Sequence, residues 1–243
     1  MKDVLRIAVV NPNTTESMTA GVVARASLAT RPGTELVGVT PGHGVATVES
    51  HTDEVTAALS VLEEVEKAEA TDEPPAAYVI ACFGDTGLQA AREVALGPVV
   101  GMTEAALLTA TLVAHRFTVI TMPRRTLAQS DRVVRALGLG HRCTVRAIDV
   151  PVSELADGSS HLLEAFVEQG RIAIQQESSE AIILGCAGLA DLVVPLQARL
   201  GVPVIEGVAA AVVLAEGLVA QGVATSRAGT WARPDRPTTG DRS

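Results

Sequence analysis

Short unbroken apolar runs alternate with longer amphipathic stretches along most of the chain. Ile7 to Val10, Ala77 to Ala81 and Ala181 to Leu184 carry no polar residue, which is the pattern of strands buried on both faces rather than of half-exposed ones. Between such runs, apolar positions recur at helical spacing, as in the acidic stretch from Asp53 to Ala68. Strands are expected at 6–10, 35–39, 77–81, 99–101, 118–121, 145–150, 181–184 and 204–205. Helices are expected at 15–29, 53–68, 88–94, 104–114, 127–137, 162–176, 189–200 and 208–220. Alternation of this kind predicts an α/β protein with mostly parallel sheets and right-handed crossovers. From Arg227 onward the periodicity stops and Arg, Pro, Thr and Gly dominate, so a flexible tail is expected at 227–243.

The pattern also repeats. Cys82 follows Val79-Ile80-Ala81 and precedes Phe83-Gly84-Asp85, while Cys186 follows Ile183-Leu184-Gly185 and precedes Ala187-Gly188. Pro98-Val99-Val100 returns as Pro203-Val204-Ile205 at nearly the offset that separates the two cysteines. The helices that follow these strands match too, and Val9-Val10-Asn11-Pro12 has a looser echo in Val119-Ile120-Thr121-Met122. Two similar lobes are therefore expected, each with a cysteine in a strand-to-helix turn. A pseudo-twofold relation would set the two thiols face to face across a cleft.

Composition sharpens this picture only in part. Of 243 residues 47% are hydrophobic but 2% aromatic, so the core must be Ala, Val, Leu and Ile packed between layers. The net charge of -9 and the lack of a basic run argue against a nucleic-acid partner and favour a small ligand. The apolar run at Ile7 is far too short for a membrane span or a signal-peptide core, which points to a cytosolic protein. Three cysteines without paired spacing predict neither a disulfide framework nor a metal site. Cys143, ahead of a strand pattern, reads as structural.

Two facing thiols suit one task well. Inverting a carbon stereocentre needs a base on one face and an acid on the other, and a thiolate and thiol of similar basicity fill both roles. The unperturbed value near 8.5 should fall at a helix N-terminus, which predicts a thiolate at neutral pH, with the two sites coupled. Backbone amides in Phe83-Gly84-Asp85 and Ala187-Gly188 are candidates to receive developing oxyanion charge. Bland roles stand beside these. A strand-end cysteine is often a small core hydrophobe. Asn11 and Asn13 suit an Asx turn or helix cap, and Asp85 a cap. His43 and His51 fit solvated or capping roles rather than metal ligation, and Glu49 a structural one. A non-catalytic binding protein for a small ring compound is the alternative from another class.

At these residues the chain resembles the Asp/Glu racemase superfamily, and within it the hydantoin and allantoin racemases. The marks are Asn11-Pro12-Asn13-Thr14, Val48-Glu49-Ser50, Asp53-Glu54, Ala81-Cys82-Phe83-Gly84-Asp85, Gly87-Leu88, Gly185-Cys186-Ala187-Gly188, Pro203-Val204-Ile205 and Gly207-Val208-Ala209-Ala210-Ala211, spread up to about Arg227. The resemblance implies cofactor-independent racemisation at C5 of a 5-monosubstituted hydantoin, allantoin included, with Cys82 and Cys186 as the acid and base. Asn13, Phe83, Gly84, Asp85, Thr121, Ala187 and Gly188 would bind substrate. It also implies a homo-oligomer, and two lobes in which the last helix returns to the first: 1–102 with 207–226, then 103–206.

Departures narrow the choice. Amino-acid racemases of the superfamily carry hydroxyl side chains beside both cysteines, where this chain has Phe83-Gly84 and Ala187-Gly188. Arylmalonate decarboxylases keep only the second-lobe cysteine, so Cys82 argues against that chemistry. A maleate-type cis-trans isomerase, which also uses two cysteines, remains open. Thr86 stands where proline is common in the hydantoin group, and Glu206 where aspartate is.

Overall fold

The computed structural model describes residues 4–155 and 159–233. The extreme N-terminus and the part of the expected tail at 234–243 lie outside the described residues. Among the described residues, eight parallel strands form two four-stranded sheets of identical topology. The first has β1 (Leu5–Val10), β2 (Thr34–Val39), β3 (Ala77–Ile80) and β4 (Val99–Gly101) in the order β2-β1-β3-β4. The second has β5 (Phe117–Thr121), β6 (Cys143–Ala147), β7 (Ala181–Gly185) and β8 (Val204–Glu206) in the order β6-β5-β7-β8. The repeat seen in the sequence is thus a repeat of strand order.

Helices cover both faces of each sheet, which is why the central strands are mostly apolar. Around the first sheet lie α1 (Glu16–Ala26), α2 (His51–Glu69) and α3 (Leu88–Val94); around the second lie α5 (Leu127–Ala136), α6 (Leu163–Glu177) and α7 (Val193–Leu200). Two more, α4 (Met102–Val113) and α8 (Gly207–Ala220), pack on each other at the junction. Met102 and Ala105 of α4 join the core of the first sheet, with Val208, Ala211 and Val212 of α8. Ala106, Leu107 and Ala110 of the same helix join the core of the second, with Phe117 and Ile183.

Local chemistry accounts for several boundaries. The helix expected from Asp53 starts at His51, because the Ser50 side chain accepts from the Asp53 amide (3.1 Å) and the Asp53 carboxylate in turn accepts from the Glu49 amide (3.1 Å). The helix expected at 189–200 opens as a 3-10 turn over Ala187–Leu192 before α7 begins. β6 begins at Cys143 rather than after it, and the thiol is buried there. Glu206, where an aspartate is common, caps α8 by accepting from the Val208 and Ala209 amides (2.7 and 2.8 Å). The first residues of the expected tail make contacts: the Arg227 guanidinium donates to the carbonyls of Arg92 and Glu93, and Trp231 Nε1 to Gln89.

Candidate active site

In each sheet the chain leaves the two central strands toward opposite edges, and that switch point opens a crevice at their C-terminal ends. In the first sheet β1 delivers Asn11 and Asn13 there and β3 delivers Cys82. In the second, β5 delivers Thr121 and β7 delivers Cys186. Thr121 pairs in register with Gly185, and a side chain at Gly185 would collide with Thr121 (2.6 Å). Glycine there lets β5 close on the strand end that carries Cys186.

The two crevices share one cavity of about 40 Å³. Six of the nine residues expected from sequence line it: Cys82, Cys186, Asn13, Phe83, Thr121 and Ala187. Gly84, Asp85 and Gly188 do not. The Gly84 amide, expected to face a developing oxyanion, donates instead to Thr103 Oγ1 (2.7 Å). Asp85, at φ +53, accepts from the Thr103 and Glu104 amides (2.8 and 3.0 Å) and so caps α4. Burial lifts its carboxyl to about 7 against the pull of those amides. Gly188 leaves room for Leu155, which a β-carbon would meet at 2.9 Å.

Sequence reasoning missed part of the lining. Thr126, Gln129 and Ser130, at the start of α5, face the cavity, as do Val48 and Val152. The echo of Val9–Pro12 in Val119–Met122 held a clue, because it places the segment after β5 where Asn13 and Met18 stand in the first lobe. Val152 comes from the loop after β6, the counterpart of the loop after β2 that carries Val48, and the two loops share no sequence match that would announce it. Glu49 Oε1 accepts from the Val152 amide (3.0 Å), which ties the loop after β2 to the loop after β6 over the cavity. A larger cavity, about 660 Å³, lies on the far side of the Cys82 turn and contains neither cysteine. It holds the ion pair between Glu54 of α2 and Arg132 of α5, with His51 Nδ1 2.9 Å from Glu54. His43 Nε2 lies 3.0 Å from Glu63. Among the described residues no His, Cys, Asp or Glu cluster is arranged to hold a metal.

Hydrogen bonding fixes the polar groups. Asn11 Nδ2 donates to Asn13 Oδ1 (3.0 Å), and that oxygen also accepts from the Thr15 amide (3.0 Å). Both asparagines thus form the expected Asx turns, and the Asn13 side chain can point only one way: its Nδ2 meets only the weak thioether acceptor Met18 Sδ (3.4 Å). Thr121 Oγ1 donates to the Gly185 carbonyl (2.9 Å), so its hydroxyl hydrogen is committed to the neighbouring strand.

The thiols depart from the sequence expectation. Burial pushes Cys82 up to about 12, with Cys186 and Asp85 adding to the rise and Thr86 opposing it through its hydroxyl and amide. Cys186 rises to about 11, again through burial, opposed by the Gly188 and Ala187 amides. Desolvation outweighs the helix-end effect: both cysteines are half-buried in the crevice, whereas the macrodipole acts only over the first turn. Between 9.0 and these raised values the folded chain keeps protons that an unfolded chain has released. Stability is then complete below 9.0 and declines as pH rises through the folded values. From about pH 8 to about pH 10.5 the guanidinium midpoint is expected to fall further for the native chain than for a Cys82→Ala/Cys186→Ala chain. Equal falls in both would exclude the two thiols as its source.

The chain matches the family model described as Asp/Glu/Hydantoin racemase over residues 7–215. It is 41% identical to a hydantoin racemase of Rhizobium meliloti, covering 95% of each chain. It is 39% identical to another from a Pseudomonas species, covering 96% of this chain and 93% of that one. An allantoin racemase structure from Klebsiella pneumoniae superposes with a TM-score of 0.92 at 42% identity, covering 98% of this chain and 97% of that one.

Proposed function

The chain belongs to the Asp/Glu/hydantoin racemase family, in its hydantoin and allantoin racemase branch, and on that premise we propose that Cys82 and Cys186 are its acid–base pair. The enzyme is an isomerase that racemises a hydantoin-type substrate. One observation carries the assignment of residues: two thiols stand at equivalent ends of two equivalent sheets and line one cavity.

In the proposed mechanism one cysteine, as thiolate, removes the C5 proton from one face. The electron pair moves onto the adjacent carbonyl, and the thiol of the other cysteine protonates C5 from the opposite face. Both proton transfers come from the chain, so no cofactor takes part. Each sulfur has groups that favour its thiolate, the Thr86 hydroxyl and amide at Cys82 and the Ala187 and Gly188 amides at Cys186, so either cysteine can take the proton. A thiolate raised this far is scarce at neutral pH but strongly basic, which suits a weak carbon acid. Asn13 Nδ2 is the donor assigned to the carbonyl oxygen, since a carbonyl or enolate is a far better acceptor than the thioether it now faces. Phe83 and Ala187 bound the ring. Residues 1–102 with 207–226 and 103–206 form the two lobes in this reading, and the enzyme is a cytosolic homo-oligomer.

Single enantiomers of 5-benzylhydantoin and allantoin in D₂O test the function. Enzyme-dependent loss of the C5 proton by NMR, together with loss of optical rotation, is the expected outcome. Saturable binding without exchange would instead identify a binding protein, and a covalent cysteine adduct with maleate a cis-trans isomerase.

A further inference from the structure

A second cavity adjoins the one between the cysteines. It measures about 170 Å³ and shares two walls with it, Met18 of α1 and Val152 of the loop after β6. We propose that this side cavity receives the C5 substituent of the substrate and admits uncharged groups up to about the size of a benzene ring. The inference rests on the racemase reading above.

Space gives the first argument. The cavity between the thiols, at about 40 Å³, has about a quarter of the side cavity's volume. A substituent on C5 has to leave it, and the shared walls mark where. An apolar cavity of about 150 Å³ is enough to hold benzene, which sets the size expected for the side cavity.

Chemistry gives the second. Met18, Ala46, Val152 and Leu155 form the apolar half of the lining, and Thr15, Ser17, Thr47 and Ser153 add small uncharged hydroxyls. Among the described residues no ionisable side chain lines it. A charged substituent would lose its hydration there without gaining a partner, whereas a neutral one would lose little.

The third argument is the link to the catalytic cysteine. Leu155 packs against Gly188, whose amide faces the Cys186 sulfur. The floor of the side cavity and the setting of that thiol are therefore one packed unit. Met18, unbranched and adaptable, stands between the two spaces and against Asn13. A substituent seated in the side cavity would fix which face of C5 each thiol meets.

The test is a comparison of kcat/KM for racemisation across 5-methyl-, 5-isobutyl-, 5-benzyl-, 5-naphthylmethyl-, 5-carboxymethyl- and 5-carbamoylmethylhydantoin. Values should rise to benzyl and fall at naphthylmethyl, and carbamoylmethyl should exceed the isosteric but charged carboxymethyl at least about tenfold. Ala46→Phe, and separately Ser17→Phe, should lower the benzyl-to-methyl ratio by about tenfold or more by filling the cavity. Racemisation with an unchanged ratio in both folded variants, or with carboxymethyl equal to carbamoylmethyl, would overturn the side-cavity assignment alone. Absence of C5 exchange with every compound would overturn the racemase reading beneath it.

Discussion

Replacing either Cys82 or Cys186 by serine is expected to lower racemisation by about 10³-fold, within the range a positioned acid or base contributes. Serine is slightly smaller but keeps the shape and the hydrogen-bonding partners of each thiol: Thr86 at position 82, and the Ala187 and Gly188 amides at position 186. What it removes is the acidity, since a serine hydroxyl holds its proton far more tightly than even these raised thiols. The two variants should also differ from one another in a specific way. With one thiol left, only the proton on that thiol's face of C5 can be taken and returned, so in D₂O each variant should exchange one enantiomer without inverting it. Cys82→Ser and Cys186→Ser should select opposite enantiomers. Chiral chromatography with NMR separates the two readouts. A single variant that retains more than about a tenth of native racemisation would rule out the paired mechanism.

Asp85→Ala is expected to destabilise the fold by about 3 kcal/mol, although Asp85 lies outside the cysteine cavity. Its carboxylate accepts from the amides of Thr103 and Glu104. Its own amide donates to the Cys82 carbonyl (3.0 Å). Gly101 has no side chain because a β-carbon there would lie 2.4 Å from the Asp85 carboxyl. Burial of the carboxyl works against this arrangement, as its rise to about 7 shows. Alanine nevertheless leaves two donors at the start of α4 without a partner, and that loss outweighs the relief of burying a charge. Asp85→Asn keeps one acceptor oxygen and should cost less, about 1–2 kcal/mol. Guanidinium unfolding measures both. A change below about 1 kcal/mol for the alanine variant would show that water or a neighbouring group replaces the carboxylate.

The sequence was most informative where structure is local. β3, α3 and β4 fall within a residue of their expected bounds, since each is a short apolar or amphipathic run bounded by glycine or proline. The positions of Cys82 and Cys186 were equally legible, because the duplicated strand-turn-helix motif places both at the same point of the same topology. The edge strand β6 was less so. Its polar alternation is weak, and its start at Cys143 depends on pairing with Phe117 rather than on its own residues.

The amino-acid order by itself determined the α/β alternation, the internal repeat and a pair of equivalent strand-end cysteines. Each of these is written in spacing, and spacing acts through the intrinsic geometry of helices and strands. Only the tertiary structure decided what the site's polar groups do. Gly84 and Thr103, Glu49 and Val152, and Gly188 and Leu155 are distant in sequence, and nothing in their neighbourhoods announces the meeting. The thiols' basicity belongs to the same class, since burial is a property of what surrounds a side chain and not of the residues beside it in the chain. A backbone amide that could serve an oxyanion in one fold is spent on a threonine hydroxyl in this one, because a buried donor takes the partner that packing brings to it.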